Sequence, residues 1–134
     1  MKFKFLEHTA DVKFQAFGNS LEEVFENSAL AMFNSMYDGK VKKKITKRIK
    51  IEGKDNESLL YNFLEELLFL FDSEGFFLSE IKSLKIKEGN LEAEIVGDKD
   101  ENYEIHIDVK AITYNEMFVK QEEKKWVSQV VLDV

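Results

Sequence analysis

Four polar side chains, Glu7, His8, Thr9 and Asp11, crowd into the five residues EHTAD between two stretches of alternating apolar character. A plain turn there would use Gly, Asn and Asp. The group therefore reads either as a turn tightened by Thr9 and Asp11 or as a set of donors. The other end of the chain offers a counterpart. The run VSQVVLDV ends on Asp133 and Val134, which puts a side-chain carboxylate and the terminal carboxylate on adjacent residues of one strand. If the first and last strands are neighbours, Asp11, Asp133 and Val134 bring three carboxylates together. That is enough to anchor a hard cation whose remaining positions are filled by water or by a partner's oxygens. Without a cation such a group repels itself, and one member is pushed towards its protonated form.

Most other chemistries are excluded. The 134-residue chain has no cysteine, which removes disulfides, thiolate metal sites and cysteine nucleophiles together. His8 and His106 are its only histidines, so a multi-histidine metal site is out of reach. A bound metal has to rely on oxygen ligands, as calcium, magnesium and manganese do. There is no GxxxxGK phosphate loop, GxGxxG fingerprint, GxSxG elbow or HExxH pair. The consecutive carboxylates Glu22-Glu23, Glu65-Glu66 and Glu122-Glu123 point in different directions and read as solvated surface. Glu65 and Glu66 stand apart, because they lie on the polar stripe of an otherwise apolar helix. His106 reads as sheet surface or partial core.

Apolar residues make up 44% of the chain and charged residues 34%, which excludes simple disorder. Surface scaling predicts about 7,300 Å² exposed after folding, the size of one domain spanning 1–134. The net charge of −7 argues against a general nucleic-acid coat. Its distribution is uneven: residues 40–50, KVKKKITKRIK, hold seven positive charges and no acid, leaving −14 on the rest. That run reads as an electrostatic contact surface or as a charged edge strand that discourages aggregation. The longest apolar stretch, 67–71, is too short to span a bilayer, and Met1 leads into a charged run, so the cytoplasm is the expected location.

Positioning these groups requires the following elements. Residues 2–6 and 12–17 alternate as strands on either side of the elbow. Ser20 and Glu23 form a capping box for an amphipathic helix over about 20–37, stopped by Asp38-Gly39. The basic run continues as a strand with Val41, Ile45, Ile49 and Ile51 on one face. Asp55 or Asn56 caps a second helix, about 57–72, whose apolar residues cover most of its circumference. It is either the central helix of the core or the bearer of a partner-binding face. Residues 81–87 and 91–96 form a hairpin through Gly89-Asn90. Tyr103, Ile105, Ile107, Val109 and Ala111 alternate in a long strand, and a last hairpin turns at 121–125 into 126–133. Two helices among seven or so strands predict an α+β fold, a single-domain sandwich of antiparallel or mixed β-sheet.

The runs EHTADV (7–12), FGNSLEEVFENSALAMFNSMYD (17–38), DNESLLYNFLEELLFLFDSEGF (55–76), VKAITY (109–114) and the final VVLDV resemble the archease family nearly end to end. The pattern departs at Asn115, where some relatives have His after TY, and Asn115 is assigned no role. The resemblance implies a non-catalytic protein cofactor of RtcB-type RNA ligases, which join tRNA halves through a guanylylated histidine of the ligase. Such a cofactor promotes that GTP-dependent guanylylation and multiple turnover. The ligase, not the cofactor, binds GTP, and tRNA is met only through the ligase. The implied metal ligands are Asp11, Asp133 and Val134, the same three carboxylates, for a calcium in a site that holds magnesium or manganese in the cell. His8 and Asp55 match family motifs as supporting residues, although Asp55 also reads as a simple helix cap. Two other functions stay open. One is a small divalent-metal-dependent phosphoester hydrolase with His8 or Glu7 as base. The other is an RNA-binding module using 40–50, a run without an aromatic residue to stack on bases.

Overall fold

Across the elbow, Phe3–Leu6 (β1) and Asp11–Gly18 (β2) pair antiparallel. The computed structural model describes residues 1–8 and 10–134, so the turn-tightening role read for Thr9 lies outside the described residues. The first helix, Leu21–Met36 (α1), starts where Ser20 Oγ accepts the Glu23 amide. Glu23 answers by accepting the Asn19 amide, one residue before the position that a strict capping box would use. The second helix, Asn56–Glu74 (α2), is capped by Asp55, whose carboxylate accepts the Ser58 amide while Ser58 Oγ accepts the Asp55 amide. It ends at Gly75, where φ of 67° gives the left-handed turn that glycine adopts without strain.

The remaining strands are Ile45–Glu52 (β3), Phe76–Lys87 (β4), Asn90–Lys99 (β5), Ala111–Glu122 (β6) and Lys125–Asp133 (β7). They form two sheets, β1-β2-β7-β6 and β3-β5-β4, and every pairing among the described residues is antiparallel. The α+β sandwich read from the sequence is therefore correct. α1 packs on β1, β2 and β7 of one sheet and β4 of the other, and α2 packs on β6 and on all three strands of the second sheet. A helix covered from both sides has to be apolar all round. That accounts for Leu59, Leu60, Phe63, Leu64, Leu67 and Leu68, all buried, and makes α2 a core helix. The exposed surface of 7521 Å² agrees with the scaling expectation.

Several boundaries need correction, and β4 starts at Phe76, five residues before the strand read over 81–87. The basic strand starts at Ile45, not near Val41; the segment before it is held by isolated bonds, such as the Lys44 amide to the Gly97 carbonyl. More substantially, residues 103–110 are not a strand. Their side chains alternate between covered and exposed, yet the backbone makes only point contacts, the Tyr103 amide to Asp100 O at 3.0 Å, the His106 amide to Met36 O at 2.9 Å and the Lys110 amide to Asp133 O at 2.8 Å. Alternation reports that one face is covered; it does not supply a neighbour for the ladder.

The basic run resolves towards its plainer reading. β3 is the edge of its sheet, and Lys47 pairs with Glu74, Arg48 with Glu94 and Lys50 with Glu92, while Lys43 meets Glu80 just before the strand. A charged edge of this kind blunts strand addition.

One buried carboxylate fastens the loop between β5 and β6. Asp98 accepts from Tyr103 Oη at 2.7 Å, from the Lys99 amide at 2.8 Å and from Asn102 Nδ2, while Tyr103 Oη accepts the Lys42 amide. The Tyr103 hydroxyl in particular holds the Asp98 carboxyl below its usual value of 3.8. Stability from this site is complete above that value and is lost as pH falls through the lower folded value. Tyr103→Phe is expected to cost about 1–3 kcal/mol at pH 7 by stranding Asp98 and the Lys42 amide. Urea titrations at pH 7 and pH 3 should show a smaller difference between wild type and variant at the acidic pH.

Candidate metal centre

β2 begins at Asp11 and β7 ends at Asp133, and their antiparallel register sets these two residues directly opposite each other. Phe14 and Ala16 of β2 point into the core, so Asp11, Lys13 and Gln15 share the opposite face. On β7, Val130 and Leu132 take the core and Gln129, Val131 and Asp133 the outer face. Val134 follows with its side chain packed on the core, and the Lys110 amide ties down the Asp133 carbonyl at 2.8 Å. The structure thus brings Asp11 and Asp133 together with Val134 beside them. Directly opposed residues have Cβ atoms about 5 Å apart, and like charges there are destabilising. Among the described residues, no Lys or Arg pairs with either carboxylate.

His8 reaches over this strand end. Its Nδ1 is 3.5 Å from Asp11 Oδ2 and its Nε2 is 3.0 Å from Glu116 Oε2. Glu116 also takes Lys13 Nζ on Oε1 at 3.1 Å. These contacts, the Lys13 bond foremost and then that of His8, hold the Glu116 carboxyl below its ordinary value. The sequence reading missed Glu116, Lys13, Gln15 and Gln129. Glu116 lies in a bulge of β6, where the register jumps from Thr113 opposite Val131 to Phe118 opposite Gln129. It adopts φ of 57°, its carbonyl accepts Gln129 Nε2 at 2.8 Å, and Gln129 Oε1 in turn accepts Gln15 Nε2 at 2.9 Å. The one sequence signal was the polar pair Asn115-Glu116, which interrupts an apolar strand.

The family model of the Archease protein family (MTH1598/TM1083) matches residues 3–134. The chain belongs to the archease family. It is 40% identical to the protein archease of Methanosarcina acetivorans over 99% of this chain and 96% of the relative, and 42% identical to that of Pyrococcus abyssi over 99% of each. Its fold matches the solution structure of Methanobacterium thermoautotrophicum protein 1598 with a TM-score of 0.85, at 38% identity and 99% coverage of both chains. A crystal structure of an archease from Thermotoga maritima matches with a TM-score of 0.66 at 20% identity, covering 98% of this chain and 96% of that one.

Of the two supporting residues implied by the archease resemblance, His8 stands at the strand-end carboxylates, whereas the Asp55 carboxylate is spent on the Ser58 amide. His106 is exposed on the irregular segment 103–110 rather than in a strand. With Phe5, Val12, Met36 and Tyr37 it lines a groove of about 450 Å³ that opens beside Asp11. Among the described residues, no three His, Cys, Asp or Glu side chains converge as a ready-made metal cluster. Two opposed carboxylates lack a cationic side chain, and His8 Nδ1 is buried without a hydrogen-bond partner. No described helix is long and apolar enough to cross a membrane.

Proposed function

We propose that this archease is a non-catalytic, metal-binding cofactor that activates an RtcB-type RNA ligase in cytoplasmic tRNA splicing, promoting guanylylation of the ligase histidine by GTP. The supporting observation is the register that places Asp11 against Asp133 at a strand end where, among the described residues, no lysine or arginine pairs with either. Asp11, Asp133 and the carboxylate of Val134 hold a divalent ion: calcium as a probe, magnesium or manganese in the cell. A divalent ion so held supplies charge neutralisation at a triphosphate, worth several kcal/mol in phosphoryl transfer. The chain's own residues then have only to hold and present. The β2–β7 ladder fixes the spacing of the carboxylates, and the packed Val134 side chain keeps the last residue from fraying. A nucleophile is not required, in keeping with a sequence that carries none of the usual enzyme motifs.

The test combines the protein with its ligase, GTP and a defined divalent ion, and follows covalent guanylylation of the ligase. Stimulation that needs both this chain and the ion supports the reading; equal guanylylation with and without this chain overturns it. Hydrolysis of a phosphoester by the isolated chain would instead favour the hydrolase.

A further inference from the structure

We propose that the row Tyr61, Glu65 and Phe69 on α2, together with Tyr114 of β6, is a docking surface for an arginine-bearing segment of a protein partner. The surface lies apart from the strand-end carboxylates and stands whether or not they hold an ion. Single exposed apolar side chains need no explanation, whereas several aligned on one face mark an interaction site. Tyr61, Glu65 and Phe69 are four residues apart, so they form one row along α2, with the two rings about 12 Å apart along its axis. Phe69 is 58% exposed and Tyr114 54%. By strand alternation Ile112 and Tyr114 share the face of β6 turned to the core. Ile112 is buried there, but Tyr114 stays largely exposed and lies flat on Tyr61, with ring centroids 4.2 Å apart and planes within 7°. Every other aromatic pair among the described residues is at least 5.0 Å apart. Tyr114 also lines an open depression of about 490 Å³ with Glu52, Lys54, Ser58 and Asn62.

The charge around these rings selects the occupant. α2 carries Glu57, Glu65, Glu66, Asp72 and Glu74 and neither lysine nor arginine. Glu74 pairs with Lys47 and Glu57 accepts the Val119 amide, but among the described residues no ion pair reaches Glu65, Glu66 or Asp72. Partial burial and then the charges of Asp55 and Glu65 hold the Tyr114 hydroxyl above its usual 10.0, so both carboxylates stand near the stacked pair. Aromatic faces set among carboxylates repel a nucleic-acid backbone and attract cations. Arginine suits them better than lysine, because its planar guanidinium stacks on a ring while its N–H groups reach a carboxylate. In an extended segment, arginines four residues apart lie about 13 Å from each other, close to the spacing of Tyr61 and Phe69. A second copy of this chain is poorly equipped for the role, since its one arginine, Arg48, already pairs with Glu94.

The test titrates the ¹⁵N-labelled full chain with a peptide carrying two arginines four residues apart, and reads amide shifts and affinity. The shifts should centre on the Tyr61–Phe69 stretch of α2 and on Tyr114. Tyr114→Leu should weaken binding about 2–5-fold, the loss of one exposed cation–π contact, while Tyr114→Phe keeps it. Adding Glu65→Gln to Tyr114→Leu should bring the loss to about 10-fold. Both side chains are exposed, so the amide spectrum away from the row should stay as in wild type. Replacing both arginines of the peptide by lysine should also weaken binding. The proposal is overturned if the peptide leaves the α2 amides unshifted, if the double variant or the lysine peptide binds as tightly as the original pair, or if Tyr114→Phe loses as much as Tyr114→Leu. Oligouridylate that shifts the same amides and is released by Tyr114→Leu would make the row an RNA platform instead. Self-association that depends on concentration and disappears in Phe69→Ala would give the row to a second copy, and either result overturns the arginine assignment.

Discussion

Asp133→Asn should abolish stimulation of ligase guanylylation and weaken divalent binding by more than about 100-fold, beyond the effect expected from loss of an outer partner. The fold should be unaffected or slightly firmer. Asp133 is exposed, so the isosteric change opens no cavity. It also removes one of two like charges facing each other across β2 and β7, a relief of about 0.2–1 kcal/mol without metal. Thermal melts with and without Mn²⁺ separate the two effects. Wild type should gain about 2.7 kcal/mol at a metal concentration of 100 times Kd, and the variant none. A variant that still stimulates the ligase fully would remove the strand-end carboxylates from the mechanism.

The largest loss of stability should come from Phe77→Ala. Phe77 is 1% exposed and sits at the centre of an aromatic group, edge-on to Phe33 at 5.0 Å, Phe71 at 5.9 Å and Tyr37 at 6.2 Å, with Tyr103 at 6.0 Å. These rings come from both helices, from β4 and from the loop before β6, so the cavity left by alanine cannot be closed by moving one element. The expected cost is about 3–5 kcal/mol, or roughly 10–20 °C in Tm. Phe69→Ala is the control. That ring is 58% exposed on α2, and its removal should change stability by no more than about 0.5 kcal/mol. Equal effects from the two substitutions would mean that burial does not govern the stability of α2 and β4.

Much of the fold was legible because its signals are local. Ser20, Asp55 and Gly75 mark helix ends through bonds to residues a few positions away. Apolar residues over most of the circumference of α2 left a core helix or a partner-binding face open, and its packing on strands of both sheets decides for the core. Residues 103–110 misled for a stated reason: Ile105, Ile107 and Val109 pack inward as a strand's would, while the backbone on either side finds no partner strand. At the candidate site, Asp11 and Asp133 stood out near opposite ends of the sequence, but that they face each other depends on the β2–β7 register. Glu116 was not. Its place depends on a register jump between β6 and β7, and nothing within β6 alone says which residue the bulge will turn towards His8.

The strand order carries a consequence for how the molecule is assembled. The β4–β5 hairpin and both helices join residues close in sequence, but the β2–β7 ladder joins partners as remote as Gln15 and Gln129, 114 positions apart. Such long closures come late, because the entropy of bringing distant segments together is lost before the contacts form. During synthesis, one edge of β2 waits unpaired until β7 leaves the ribosome. The two carboxylates meet only at that moment. A chain broken off after β6 would lack Asp133 and leave one edge of β2 open to strand addition.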